Sequence, residues 1–473
     1  MAGRFLSLFK PVARFIPEIK APERRVSFNE KLLWTAIALV VYLVMASEVC
    51  RLYGIPSSAE EQLAPLRIIF ASTRGTLMEL GIGPIVTGGL ILQLLVGSAM
   101  IQCDMSKPED RALFTTASKV FAIILTGVQA SAYIISGMYG SLPGTTAIIV
   151  FLQLIAAGVI VILLDELIQK GWGFGSGISL FIMAGVAQQI FLECFYVSPP
   201  VDEYGSSGVF VALVQSLMSG KPLTGLILRG NYPSIIGFVA TIAAFLAIIY
   251  MEGVRVELPL SYAGYRGFRS RYPIKLLYVS NLPVIFASAL FANIYFFSLI
   301  LWRQPWGPSN FFVQLLGTWS SSEGGQNVPT SGLAYYVTSP GNLSNVISEP
   351  LRALVYLAIL VAFCVVFSLT WLEVGGLGPS TVAKQLVDSG MQIPGYRRSG
   401  KAVEAVLKRY IPPVTVLGGI IVGLIAGLSD FFGVFGSGTG ILLSVGIIYQ
   451  YYQILVRERA AEIYPAFRRL FGG

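Results

Sequence analysis

Ten times along this 473-residue chain, a run of about 20 residues passes with almost no charge. A helix of that length rises about 30 Å, the thickness of a bilayer's hydrocarbon core, and satisfies its backbone hydrogen bonds internally. The runs fall at 32–50, 80–101, 113–137, 144–166, 176–196, 233–252, 279–302, 350–373, 411–429 and 438–456. Charged residues are 12% of the chain and mean hydropathy is +0.71, whereas soluble domains carry about 25% charged residues. The expected fold class is an all-α polytopic membrane protein with ten transmembrane helices. One further stretch, Gln62 to Thr73, is too short to cross and holds Arg67. It reads as a short helix that re-enters from the outer side.

Two runs open on interrupted helices. One begins Gly81, Ile82, Gly83, Pro84, Ile85, Val86; the other begins Asn281, Leu282, Pro283. Loosened backbone in lipid is tolerated only where protein or a water-filled cavity covers it. A second echo joins two more runs, because the phrase FGSG occurs at 174–177 and again at 435–438. Both pairs are five spans apart. Five is odd, so the spacing predicts two halves of opposite membrane orientation, an inverted repeat. Glycine also recurs in membrane helices simply because small residues let helices pack closely. The expected division is a basic N-terminal segment at 1–31, a first half at 32–230, a second half at 231–456 and a tail at 457–473. The first 31 residues are basic and polar rather than a cleavable signal.

Basic residues orient the bundle. Arg4, Lys10, Arg14, Lys20, Arg24, Arg25 and Lys31 precede the first run. Arg255, Arg266, Arg269, Arg271 and Lys275 follow the sixth, and Lys384, Arg397, Arg398, Lys401, Lys408 and Arg409 follow the eighth. Loops of the other parity carry few positive charges. The positive-inside rule then places both termini in the cytoplasm.

Function classes narrow by what is missing. The sequence has no histidine, and its four cysteines (Cys50, Cys103, Cys194, Cys364) are scattered. It therefore lacks the usual proton-exchanging side chain and any zinc-ligand spacing. No catalytic constellation and no cofactor site are expected, so the chain does not read as an enzyme. Lys119, Glu79, Asp165, Glu166 and Glu252 lie toward helix ends, where charged groups reach headgroups. Broken helices leave open a secondary transporter for a small solute, although such a protein needs a titratable group at mid-depth. The aliphatic residues Ile82 and Val86, and Ile178 and Ile182, sit four apart on one helix face. With Ile285 and Leu443 they could form an apolar ring that gates by excluding water. Isolated polar residues within spans, Thr87, Gln129 and Asn293, suit weak hydrogen bonds between helices. The basic loops could meet anionic lipid or RNA phosphates.

Several long phrases resemble one family: ELGIGPIVT at 79–87, EGVRVE at 252–257, RYPIKLLYVSN at 271–281, and PEI at 17–19 with PERR at 22–25. They are similar to the SecY family, the large (alpha) subunit of the Sec protein-conducting channel, in its archaeal and eukaryotic branch. The resemblance covers nearly the whole chain. It implies a protein translocation channel of two clamshell halves around an hourglass pore, with the constriction ring at Ile82, Val86, Ile178, Ile182, Ile285 and Leu443. The stretch Gln62, Leu63, Leu66, Arg67, Ile69 to Thr73 resembles the plug that seals the resting pore. Thr87, Gln129 and Asn293 match the polar cluster of a lateral gate between spans two and seven. Arg266, Arg269, Arg271, Arg397 and Arg398 match a ribosome-docking surface. Implied partners are small single-span Sec subunits (SecE/gamma-like and beta-like), the ribosome, signal sequences, nascent chains and membrane lipid, with RNA touched only through the ribosome. The implied location is the plasma membrane in an archaeon or the endoplasmic reticulum in a eukaryote.

Overall fold

Ser27 starts the first long helix. Its hydroxyl accepts the Glu30 amide and the Glu30 carboxylate accepts the Ser27 amide, a reciprocal cap that satisfies donors no helix can satisfy itself. Helix α1 (Phe28–Ala46) therefore begins four residues before the apolar run. The computed structural model describes residues 11, 17–55, 72–97, 101, 108–135, 139, 142–199, 202–222, 224–229, 232–262, 269–279, 282–321, 327–392 and 400–463. Nine further long helices follow: α2 (Gly83–Gly97), α3 (Pro108–Ile135), α4 (Gly144–Leu167), α5 (Gly177–Phe195), α6 (Ile235–Gly253), α7 (Leu282–Arg303), α8 (Pro350–Val374), α9 (Gly400–Phe431) and α10 (Gly438–Ile463). Among the described residues nine of the ten are long and apolar enough to cross a membrane, and α2 is the short one at 15 residues.

Two helix starts differ from the sequence reading for physical reasons. Gly81 takes φ +54°, which only glycine adopts freely, so α2 starts at Gly83 rather than 80. Helix α9 starts at Gly400, eleven residues before its apolar run, because Val403, Leu407 and Ile411 pack into a small core outside the span. That core lies beneath a sheet where open loops were expected. Strand β1 (Arg255–Tyr262) pairs antiparallel with β2 (Arg269–Lys275). A second sheet, β3 (Thr318–Ser321) with β4 (Asn327–Ser331), folds the connection after α7 back on that helix. There Trp319 donates its indole N–H to Ser298. Strand β5 (Met391–Gln392) joins the far end of β1 through Ser261 and Tyr262. The all-α description thus holds for the bundle, with two small sheets outside it.

The two sets of five helices pack mainly among themselves. Helix α2 lies closely on α3, where a Cβ on Gly88 would stand 3.0 Å from the Ala122 backbone. In the second set, α8 lies closely on α9, with Gly419 and Gly423 against it in the same way. Between the sets there are two seams. At the back α5 packs along α10, and at the front α2 meets α7 and α8.

The two FGSG phrases occupy equivalent places in the two sets. Each forms a turn with glycine in the left-handed region, Gly175 at φ +69° and Gly436 at φ +70°. Each turn then starts a helix at its last glycine, Gly177 in α5 and Gly438 in α10. The turns also touch the opposite helix reciprocally. A Cβ on Gly175 would meet the Tyr451 ring of α10 at 3.1 Å, and a Cβ on Gly436 would meet Ile190 and Val186 of α5 at 3.1 Å. Tyr451 and Ile190 each lie thirteen positions after the last glycine of their own phrase. That pairing is what a pseudo-two-fold axis between inverted halves requires.

Candidate channel waist and gate

Ile82 sits in the turn that starts α2, and its carbonyl accepts the amides of both Ile85 and Val86 at 3.0 Å. The turn is reinforced upstream, where Glu79 takes the Gly75 amide and the Gly81 and Gly83 amides bind the Met78 and Leu80 carbonyls. The loosened backbone that the sequence flagged is thus covered and hydrogen-bonded. Ile82 itself is fully buried, at 0% exposure.

The remaining ring candidates come from three other helices. Ile178 and Ile182 lie on successive turns of α5, Ile285 on the first turn of α7, and Leu443 on the second turn of α10. All six belong to one apolar cluster. Ile82, Ile182 and Leu443 are its buried members, and Val86, Ile178 and Ile285 are half-buried and packed against it. The cluster also holds Met78, Phe181 and Val284, so helices of both sets meet on largely apolar side chains.

At the front seam a polar contact spans the sets. Asn293 on α7 donates its side-chain amide to the Thr87 hydroxyl of α2 at 3.2 Å and to the Ala289 carbonyl at 2.7 Å. Gln129 is buried on α3, the helix behind α2. Elsewhere along the same seam a small opening of about 10 Å³ is lined by residues that include Leu90, Gln93, Phe286, Phe367 and Trp371. Gln93 Oε1 is buried there and has no hydrogen-bond partner among the described residues. The front seam therefore holds a buried acceptor that is left unsatisfied among the described residues.

The basic loops converge on one sheet. Pairing of β5 with β1 brings the segment before α9 against the end of the 255–275 hairpin. Arg271 lies opposite Pro259 and binds Glu257 at 2.6 Å, which holds the Glu257 carboxyl below its ordinary pKa. The Arg269 backbone lies opposite Ser261, itself paired with Gln392. Arg266, Arg397 and Arg398 lie outside the described residues. So do Gln62, Leu63, Leu66, Arg67 and Ile69 of the proposed plug; Thr73, at its end, binds the Met78 carbonyl through its amide.

Sequence reasoning overlooked two carboxyls. Glu193 on α5 accepts the Gly436 amide at 3.3 Å across the back seam, and Asp430 near the end of α9 accepts the Gly438 amide at 2.7 Å. Charge depth alone gave no signal for them. For Asp430 the usable sign is its place five residues before the second FGSG phrase, as Asp165 precedes the first; Glu193 has no such sign.

Two inverted sets of helices, joined through backbone contacts at one seam and through side chains at the other, define a class: a polytopic membrane channel. The chain belongs to the SecY family, whose model matches residues 76–452. It is 43% identical over 472 residues to a protein transport protein, Sec61 subunit alpha of Dictyostelium discoideum, covering 97% of this chain and 98% of that one. A solved protein-conducting channel is similar with a TM-score of 0.81 and 41% identity, over 96% of this chain and 98% of that one. Sec61 in the canine ribosome-channel complex from the endoplasmic reticulum is similar at 0.78 and 40%, over the same shares.

Proposed function

We propose that this chain is the central pore-forming subunit of a protein translocation channel, which passes unfolded polypeptide across a membrane and releases apolar segments sideways into lipid. The observation that supports the reading is that Ile82, Ile182 and Leu443, with the half-buried Val86, Ile178 and Ile285, fall in the same large apolar cluster, to which both sets of helices contribute. An aliphatic constriction excludes water and ions without binding them. It offers a threaded chain no directional bond, so it suits any sequence. The plug, at about 62–73, adds a second barrier in the resting state. The channel performs no chemistry, and driving force comes from a partner.

Opening has a favourable energy balance at the front seam. Hydrogen bonds between membrane helices contribute about 0.6 kcal/mol on average. A signal helix gains about 0.3 to 0.6 kcal/mol per Leu, Ile, Phe or Val at mid-membrane, so about ten such residues gain about 3 to 6 kcal/mol. That exceeds the Asn293–Thr87 contact several-fold.

Both termini and the β1–β2–β5 sheet are assigned to the cytoplasm, with the first half at 32–230 and the second at 231–456. The sheet gathers both basic loops, and with the ribosome-bound relative in mind we assign it to ribosome docking through Arg266, Arg269, Arg271, Arg397 and Arg398. Small single-span Sec subunits complete the complex. The membrane is the endoplasmic reticulum in a eukaryotic cell or the plasma membrane in an archaeal one.

The test is resting conductance in planar bilayers. Replacing Ile82 and Ile178 together with glycine is expected to raise ion leak at least tenfold. Unchanged conductance removes the waist from this account.

A further inference from the structure

Two carboxyls that belong neither to the gate nor to the waist occupy equivalent places in the inverted halves. Asp165 lies two residues before the end of α4, and Asp430 one residue before the end of α9. Each reaches the first residues of the next helix. The Ile178 amide donates to Asp165 Oδ1 at 2.9 Å, and the Gly438 amide donates to Asp430 Oδ1 at 2.7 Å. The second oxygen is held in both cases, by Gln169 Nε2 at 2.7 Å and by the Tyr356 hydroxyl at 2.9 Å. Amides in the first turn of a helix have no partner within it and carry partial positive charge, so a carboxyl there is bound by both geometry and field.

The glycines that end the two FGSG phrases make the approach possible. A Cβ on Gly177 would stand 2.6 Å from the Asp165 Cα, and a Cβ on Gly438 would stand 2.6 Å from the Ser429 Cβ and 3.0 Å from the Asp430 amide nitrogen. The start of each helix therefore lies flush against the end of the helix before it. What those helices carry next is the waist. Ile178, whose own amide binds Asp165, and Ile182 follow in α5; Leu443 follows five residues after Gly438 in α10.

We propose that Asp165 and Asp430 are positioning residues of the channel: they fix the depth and rotation at which α5 and α10 present Ile178, Ile182 and Leu443 to the constriction. The proposal rests on the waist reading above. Dispersion contact falls by a quarter to a half when a gap of about 0.5–1 Å opens. A helix start released from its anchor by that much unseats aliphatic side chains that seal only by touching. One anchor reports further, since Tyr356 stands on α8, which also packs against α2 at the front seam.

The experiment uses the full complex reconstituted in planar bilayers, with conductance per incorporated channel and thermal unfolding measured on the same preparations. Asp165→Ala and Asp430→Ala are each expected to raise resting conductance at least tenfold. Asp165→Asn and Asp430→Asn keep an acceptor oxygen and are expected to stay within about twofold of the parent. Leu154→Ala, a buried truncation in α4 away from the waist, is expected to lower the unfolding midpoint without leak. Sealed alanine variants alongside a leaking Ile82→Gly, Ile178→Gly channel overturn the positioning role and leave the waist standing; if that glycine channel is also sealed, the waist reading itself has failed. Should an alanine variant not assemble, Gly177→Ala and Gly438→Ala part anchor from helix with the carboxyl intact. They are expected to leak likewise, and tight seals in both overturn the proposal.

Discussion

The back and front seams join the same two sets of helices by opposite means. At the back, α5 and α10 are joined through backbone: glycine turns sit against Tyr451, Ile190 and Val186, Tyr451 donates to the Ser176 carbonyl, and Glu193 takes the Gly436 amide. Lys31 of α1 adds an ion pair to Glu458 of α10 at 2.8 Å. At the front, α2 meets α7 and α8 through side chains, by apolar packing and, among the described residues, by the Asn293–Thr87 hydrogen bond. Backbone contacts at glycine cannot be remade after a shift, because no side chain is present to follow. Apolar side chains can slide, repack or meet lipid at little cost. The difference is the one the proposed function needs, a seam that holds and a seam that can part.

The comparison breaks most visibly at the chain that links the sets behind the back seam. There the Arg229 guanidinium, 1% exposed at its side chain, makes two bonds to Asp202, at 2.6 and 2.8 Å, and one to the Ser206 carbonyl. Arg229→Ala leaves Asp202 without its partner and is expected to destabilise the protein by about 3 kcal/mol, read as a lower thermal midpoint. The pair has a pH signature. Hydrogen bonding and charge from Arg229 hold the Asp202 carboxyl below its ordinary value. Its contribution is therefore complete above an unfolded carboxylate pKa of about 3.9 and is lost as pH falls through the lower folded value. The parent and Arg229→Ala midpoints should converge in that acid window; a gap that stays constant through it contradicts the assignment.

Gly436→Ala probes the back seam itself. A left-handed residue with a Cβ costs about 1–2 kcal/mol, and contact with Ile190 and Val186 adds to it. A midpoint loss equivalent to about 2 kcal/mol is expected, with the signal threshold of the surviving channels unchanged. Asn293→Leu is the counterpart at the front. Stability should change by under about 1 kcal/mol, yet weakly and strongly apolar signals should be inserted in a different ratio from the parent. An unaltered ratio would show the Asn293–Thr87 contact to be simple helix glue.

Much of this was readable from residues. Nine of the ten spans followed from apolar length among the described residues, and the ring candidates from the family resemblance, with i, i+4 pairs only at Ile82/Val86 and Ile178/Ile182. Which face of a span points inward was not readable, because lipid and interior are both apolar and the helices have little polar contrast. That is why Asp165 was set aside as a helix-end charge and Asp430 was overlooked: their meaning depends on which backbone lies opposite. The 255–275 sheet did leave a trace, since Leu258 and Leu260 alternate with Glu257 and Pro259 as a half-buried strand does. The density of arginine masked it. The embrace of the two FGSG turns by Tyr451 and Ile190 needed the tertiary fold, because residues thirteen positions downstream meet the other half, not their own.

Spin-label distances across the two seams test the central claim most directly. Labels at the exposed positions Leu94 on α2 and Phe297 on α7 report the front, and labels at Phe191 on α5 and Tyr452 on α10 report the back. Each pair is measured in the reconstituted complex at rest and with a secretory chain arrested in transit. We expect the front distance to lengthen by several ångströms while the back distance keeps its resting value. A front distance that stays fixed while a chain is threaded, or a back distance that opens equally, would contradict a channel that parts along one seam.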